Sequence, residues 1–146
     1  MDGCPLTIRP GVAAVILNSE NEILLHLRPI GGGWAPPSGS MEPGETIVGA
    51  LQRELVEETG LEVRVENLVA VYSDPAIQVV HYPDGRHIHF VTALFRCRVK
   101  KGNLKGSAEG VKWAWFPGNR MPENLLPYAR VWIADALTEN PRTLVK

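Results

Sequence analysis

Five carboxylates crowd into residues 39 to 61: Glu42, Glu45, Glu54, Glu57 and Glu58. The last three stand at i, i+3 and i+4, a spacing that puts them on one face of a helix. Like charges so placed repel at a cost of roughly a few tenths of a kcal/mol per pair, and something must offset that cost. Arg53 is one partner. A hard divalent cation is a better one, because Mg²⁺ takes carboxylate oxygens and keeps its remaining positions for water and substrate phosphate. The cluster therefore reads as a metal cradle for phosphate chemistry. On spacing alone the alternative is a solvated acidic stripe, the usual fate of a Glu-rich helix face.

The same window supplies the element that must position these groups. Ile47, Ala50, Leu51 and Leu55 recur at spacings of three and four and define a second, buried face. Pro43-Gly44 suits the middle of a tight turn, Thr46 can cap a first turn, and Gly60 can supply a left-handed stop. The spacing predicts an amphipathic helix from about Thr46 to Thr59.

Taken whole, residues 39 to 61 fit the pattern G-x5-E-x7-R-E-U-x-E-E-x-G-U, with U aliphatic, at Gly39, Glu45, Arg53, Glu54, Leu55, Glu57, Glu58, Gly60 and Leu61. Nine fixed positions make this far more specific than a lone glycine-rich loop, and the chain resembles the Nudix hydrolase family. The resemblance implies that Glu54, Glu57 and Glu58 hold Mg²⁺ or Mn²⁺, with the Gly39 carbonyl as a further ligand and Glu45 and Arg53 as support. Arg53 cannot ligate a cation, so its part would be to orient the carboxylates. Many family members place another acidic ligand or general base outside the motif, and Glu109 is the best match, with an exposed loop glutamate as the alternative. Glu54 and Glu109 are both candidates for the base that activates water.

The implied reaction is attack of water on a phosphorus of a nucleoside diphosphate linked to another group, releasing a nucleoside monophosphate and the phosphorylated second group. Family members that cleave ADP-ribose tend to carry a proline about fifteen residues after the motif, and Pro75 lies 14 beyond Leu61. The compact length resembles equally the members that cleave nucleoside triphosphates. Arg28 is a candidate for a substrate phosphate and Tyr72 for stacking on a base, as are Tyr82, Phe90 and Trp113. The alternative function is a nucleotide-sensing module of the same fold that does not hydrolyse. Such relatives typically lose motif glutamates, which this chain keeps. RNA decapping would want a basic surface, and the family resemblance is compatible with a homodimer.

At 146 residues, 45% hydrophobic and 21% charged, the chain fits one globular domain spanning residues 1 to 146. A net charge of −1 offers no bulk field for nucleic acid or an anionic membrane, so phosphate binding must be local and metal-assisted. No apolar run approaches a membrane helix, and the N-terminus lacks a basic region before an apolar core. A soluble, cytoplasmic protein is expected. Cys4 and Cys97 lie far apart with no ligand spacing around them, and read as free thiols.

The remaining elements follow in order. Gly11 to Leu17 and Glu22 to Leu27, joined by Asn18 to Asn21, form a hairpin signature. Their apolar character on both alternating faces calls for a sheet covered by helices on each side, and the order of elements resembles the Nudix fold, an α/β/α sandwich with a mixed sheet between helices. Pro29 to Gly33 is a loop leading to Trp34, a packing residue, and on to the motif. A strand is expected from Glu62 to Tyr72 and a break at Ser73-Asp74-Pro75. Ile77 to Tyr82 and Arg86 to Val99 then read as antiparallel strands joined by Pro83-Asp84-Gly85. His81, His87 and His89 near this hairpin lack a carboxylate at ligand spacing. Val111 to Phe116 returns to strand pattern, and Leu125, Ala129, Trp132, Ile133, Ala136 and Leu137 are spaced for a closing helix.

Overall fold

The structure is a computed structural model describing residues 5–29, 32–104 and 112–146. Its centre is β1 (Leu6–Leu17), whose residues from Gly11 onward are buried on both faces. β1 runs antiparallel to β2 (Glu22–Leu27) through the expected hairpin, in which Asn18 Oδ1 accepts from the Glu22 N–H at 2.9 Å. β3 (Trp34–Ala35) edges β2, and β4 (Ser38–Ser40) pairs with β1, setting Gly39 opposite Val12. The motif helix α1 (Ile47–Thr59) follows, then β5 (Glu62–Tyr72), α2 (Pro75–Gln78), β6 (Val79–His81) and β7 (His87–Lys101). β8 (Trp113–Pro117), α3 (Pro127–Leu137) and β9 (Leu144–Val145) complete the chain.

The sheet is mixed. Its main order is β3-β2-β1-β7-β5-β9, with β8 beside β2 and β6 beside β7. β1 lies parallel to β7 from Leu6 against His87 to Leu17 against Arg98, and β9 is parallel to β5; the other pairs are antiparallel. A strand in mid-sheet alternates its side chains between two helical layers. Val12, Ala14 and Ile16 pack with Ala50, Leu51 and Leu55 of α1, while Ala13, Val15 and Leu17 pack with Ala129, Trp132, Ile133 and Ala136 of α3. The helices expected on both sides of the two-faced apolar strands, and the α/β/α sandwich that the resemblance implies, are the observed architecture. Cys97 is a free thiol in the α1 layer, and burial pushes its pKa up to about 12; Cys4 lies outside the described residues.

Three local features differ from the sequence reading. Ile77 and Gln78 are helical rather than extended, because Asp74 caps the turn: its Oδ1 accepts from Ala76 N–H at 2.9 Å, Pro75 takes the first helical position, and Gln78 N–H donates to Asp74 C=O at 2.9 Å. Ile47 remains 44% exposed, so the buried stripe of α1 begins at Ala50. β9 was not apparent in the sequence; two residues of strand carry too little pattern to be seen before their partner is known. Among the described residues, no helix is long and apolar enough to cross a membrane.

Candidate active site

The site is built on α1. Thr46 caps it by accepting from Gly49 N–H at 3.0 Å, and Gly60, at φ 78°, closes it with its N–H on the Val56 carbonyl at 3.0 Å. With Ala50, Leu51, Leu55 and Thr59 turned into the sheet, Arg53, Glu54, Glu57 and Glu58 are left on the flank that meets β4.

Arg53 is the hub of this flank. Its Nε donates to Glu45 Oε2 at 2.6 Å and Nη2 to Glu45 Oε1 at 2.8 Å, a bidentate pair. Nη2 also donates to the Ser40 carbonyl at 3.1 Å, and Nη1 to Glu54 Oε1 at 3.1 Å and Glu57 Oε2 at 3.4 Å. The guanidinium thus ties the turn before the helix, the end of β4 and two motif carboxylates into one body. Hydrogen bonds from Arg53 first, and from the Glu42 N–H second, hold Glu45 down at about pKa 2, a permanent carboxylate; Arg53 is raised in return.

Glu58 behaves oppositely. Burial, and next its hydrogen bond with Glu54, push its pKa up to about 8, despite the opposing pull of Arg28. Glu54 and Glu58 thus stand as two carboxylates in hydrogen-bond contact. Such a pair is a seat for positive charge, and its oxygen donors suit a hard divalent ion. The donor chemistry of the pair is thus of the kind a hard divalent ion takes. Among the described residues no group of three such side chains is already placed to hold a metal ion.

Gly39 belongs to the same constellation for a steric reason. A Cβ there would overlap the Glu54 carboxylate, coming within 2.6 Å of its Oε2, so β4 can approach the motif helix only without a side chain at this position. Ser38, Gly39 and Ser40 also line a cavity of about 400 Å³ shared with Gly11, Arg28, Gln78, Tyr82, Phe90, Thr92, Tyr128 and Trp132. Arg28 Nη1 makes two long contacts, to Ser38 Oγ and Tyr128 Oη at 3.4 Å each. It lies close enough to Glu58 to influence it, so one arginine joins the cavity to the carboxylates.

The other sequence candidates fall elsewhere. Tyr72 is fully buried under α3, its hydroxyl donating to Asp135 Oδ2 at 2.6 Å, and has no face to offer a base. Trp113 stacks on His26 at 4.6 Å within the α1 layer. Tyr82 and Phe90 do line the cavity. Glu109 lies outside the described residues. Of the histidines, His81 and His87 meet through their Nδ1 atoms, His81 also lining the cavity, and His89 Nε2 meets the Ser73 carbonyl. Gln78, Tyr128 and Trp132 were missed as cavity residues: Gln78 sat in an expected strand and Trp132 on an apolar helix face, and neither pattern carries a sign of which residues border a void.

The NUDIX domain family matches residues 7 to 136. The human 8-oxo-dGDP phosphatase NUDT18 is 39% identical over 121 residues, covering 78% of this chain and 34% of that protein. An ADP-ribose pyrophosphatase of Methanocaldococcus jannaschii is 34% identical over 130 residues, covering 86% of this chain and 73% of that one. This chain thus spans about a third of the human relative's length and about three quarters of the archaeal one's. In three dimensions, the crystal structure of an ADP-ribose pyrophosphatase from Streptococcus suis 89-1591 matches 94% of this chain and 98% of its own with a TM-score of 0.71, at 20% identity, a likeness of fold. With the complete motif on its capped helix, the mixed sheet between two helical layers and a family match spanning nearly the whole chain, this protein belongs to the Nudix family.

Proposed function

We propose that the chain is a divalent-metal-dependent pyrophosphohydrolase acting on a nucleoside diphosphate linked to another group, either an ADP-ribose-like compound or a nucleoside triphosphate. One observation carries this reading. The paired Glu54 and Glu58 carboxylates abut, at Gly39, a cavity large enough for one nucleoside unit and bordered by an arginine.

Glu54, Glu57 and Glu58, with the Gly39 carbonyl and Glu109 as further candidates, would hold Mg²⁺ or Mn²⁺. When bound, such an ion neutralises phosphate charge and lowers the pKa of a coordinated water. The chain's own residues do the rest. Arg53 fixes Glu54 and Glu57 so that their oxygens need not reorganise during the reaction. Arg28 offers a cation to the substrate phosphate on the cavity side. Glu54 or Glu109 takes the proton of the attacking water. A cytoplasmic setting fits a nucleotide substrate, a near-neutral charge speaks against nucleic acid, and a homodimer is compatible with the family.

The test is Mg²⁺-dependent hydrolysis across ADP-ribose, nucleotide sugars, dinucleoside polyphosphates and nucleoside triphosphates, with Glu57→Gln and Glu58→Gln alongside and products identified by mass. The expected result is cleavage of one class that falls by orders of magnitude in both variants while folding is kept. Near wild-type rates in the variants would refute the metal assignment. Binding without cleavage would favour a sensing module instead.

A further inference from the structure

His81 and His87 bring two metal-ligating rings together outside the motif. The register of β6 on β7 sets His81 directly opposite His87, and residues so paired share one face of the sheet. Their Nδ1 atoms meet at 2.5 Å, with ring centroids 4.7 Å apart. His81 is exposed and His87 half-buried, so water and ions reach the contact. The turn between them holds the pair in place. Tyr82 N–H donates to the Arg86 carbonyl at 2.9 Å and Gly85 N–H to the Tyr82 carbonyl at 3.0 Å, Gly85 standing at φ 91°. Asp84 accepts from the Arg86 N–H at 3.1 Å and from Arg86 Nε at 2.8 Å, and the guanidinium lies 4.5 Å from the centre of the Tyr82 ring. Beyond the hairpin, β7 is anchored on β1, with Leu6 against His87. Two imidazoles fixed on a closed hairpin lose little further freedom when they grip one ligand together.

The chemistry of the contact selects the ligand. A neutral imidazole has one N–H and one lone pair, so the contact joins one Nδ1–H to one Nδ1 lone pair. Moving that proton to Nε2 of the same ring turns both Nδ1 lone pairs toward each other, with both rings still neutral. Two facing imidazole lone pairs suit a borderline divalent ion such as Zn²⁺ and not Mg²⁺, which takes oxygen. Zn–N bonds of about 2.0–2.1 Å in tetrahedral geometry set two nitrogens about 3.3 Å apart, so the rings need swing apart by less than roughly 1 Å. His89 lies two residues on along the same face, but its Nε2 donates to the Ser73 carbonyl at 2.6 Å. Water would fill the remaining coordination positions.

We propose that His81 and His87 form a transition-metal site that takes a Zn²⁺-like ion through both Nδ1 atoms. Its nitrogen donors set it apart from the oxygen donors of the motif, and it stands whether or not the chain hydrolyses nucleotides. Because His81 also lines the cavity, together with its neighbours Val79, Val80 and Tyr82, an ion held here stands at the cavity's border.

The experiment measures binding of Zn²⁺ alone by calorimetry on the whole chain, in excess Mg²⁺ so that oxygen sites are already taken. Wild type is expected to bind Zn²⁺ that Mg²⁺ does not displace. His81→Gln and His87→Gln should each weaken that binding by about tenfold or more, since losing even a hydrogen bond that supports a ligand costs about 10- to 100-fold. Glu57→Gln and Glu58→Gln should leave it at the wild-type value. Thermal unfolding confirms each fold, and nitrogen-15 NMR of wild type supplies an arm that needs no variant: Zn²⁺ should shift the Nδ1 resonances of both His81 and His87. No Zn²⁺ uptake, uptake equal in wild type and both histidine variants, uptake lost in the glutamate variants, or unmoved Nδ1 resonances would each overturn the proposal. The first of these outcomes would leave the pair as two rings joined by a proton.

Discussion

Arg53 grips Glu45 across eight residues of sequence through two parallel hydrogen bonds of 2.6 and 2.8 Å, and with its other amino group reaches Glu54 and Glu57. The grip sets where the motif carboxylates stand, because the guanidinium is a rigid fork and Glu45 is pinned as well by the Glu42 N–H at 2.8 Å. Lysine has the charge but not the fork. Arg53→Lys is therefore expected to lower kcat/KM by roughly 10- to 100-fold, with an unchanged far-ultraviolet circular dichroism spectrum. Wild-type kinetics in that variant would show that the guanidinium does not position the site.

Gly39 makes a second prediction, on steric grounds. Gly39→Ala places a methyl group on the Glu54 carboxylate, and Glu54 or β4 must move. A displacement of that kind near reacting groups costs on the order of 100-fold in rate. Steady-state kinetics with the best substrate should show a loss mainly in kcat, while Gly60→Ala, which strains the left-handed stop of α1, should chiefly lower the unfolding midpoint.

His26 gives the fold a pH dependence of its own. Burial first, and Arg28 second, hold its pKa down at about 4, and Nε2 has no partner among the described residues. The unfolded chain takes up this proton at about pH 6.5 and the native chain only near 4, so between those values the unfolded state holds more protons. The contribution is complete above about 6.5 and is lost as pH falls toward 4, by about 3 kcal/mol at most. Glu58, raised in the native state, acts in the opposite sense as pH rises from its ordinary value toward 8, so the comparison must be between proteins. Urea unfolding at pH 7 and 4.5 should show His26→Phe, which keeps the stack on Trp113, losing less stability on acidification than wild type. Equal losses would remove His26 as the cause.

Tyr72 distinguishes core from site. Tyr72→Phe deletes a 2.6 Å hydrogen bond to Asp135, whose other oxygen takes Lys146 Nζ at 3.1 Å, and should cost about 1–3 kcal/mol in chemical denaturation with KM unchanged. A raised KM with full stability would return Tyr72 to the substrate.

The helix, its two caps, the buried stripe and the acidic flank were legible in the sequence, because each depends on residues within four positions of one another and on backbone rules that hold anywhere. The helical cover on both sides of the sheet was legible as well, since apolar residues on both faces of β1 and β7 require it. Asp74 and Pro75 were visible as a break, yet their capping of a helical turn at Ile77 and Gln78 was not, because a β-branched run after a turn fits strand or helix until its partner is placed.

By itself, then, the sequence determined the acidic helix and the family whose motif it carries. Only the tertiary structure decided that Glu58 meets Glu54, that Arg28 acts on Glu58 and also lines the cavity, and that Gln78 and Trp132, 54 residues apart, line that same cavity. Those relationships follow from the long parallel pairing of β1 with β7 and the seating of α3 against it. Contacts of that range are set by how whole elements pack, which no local spacing encodes.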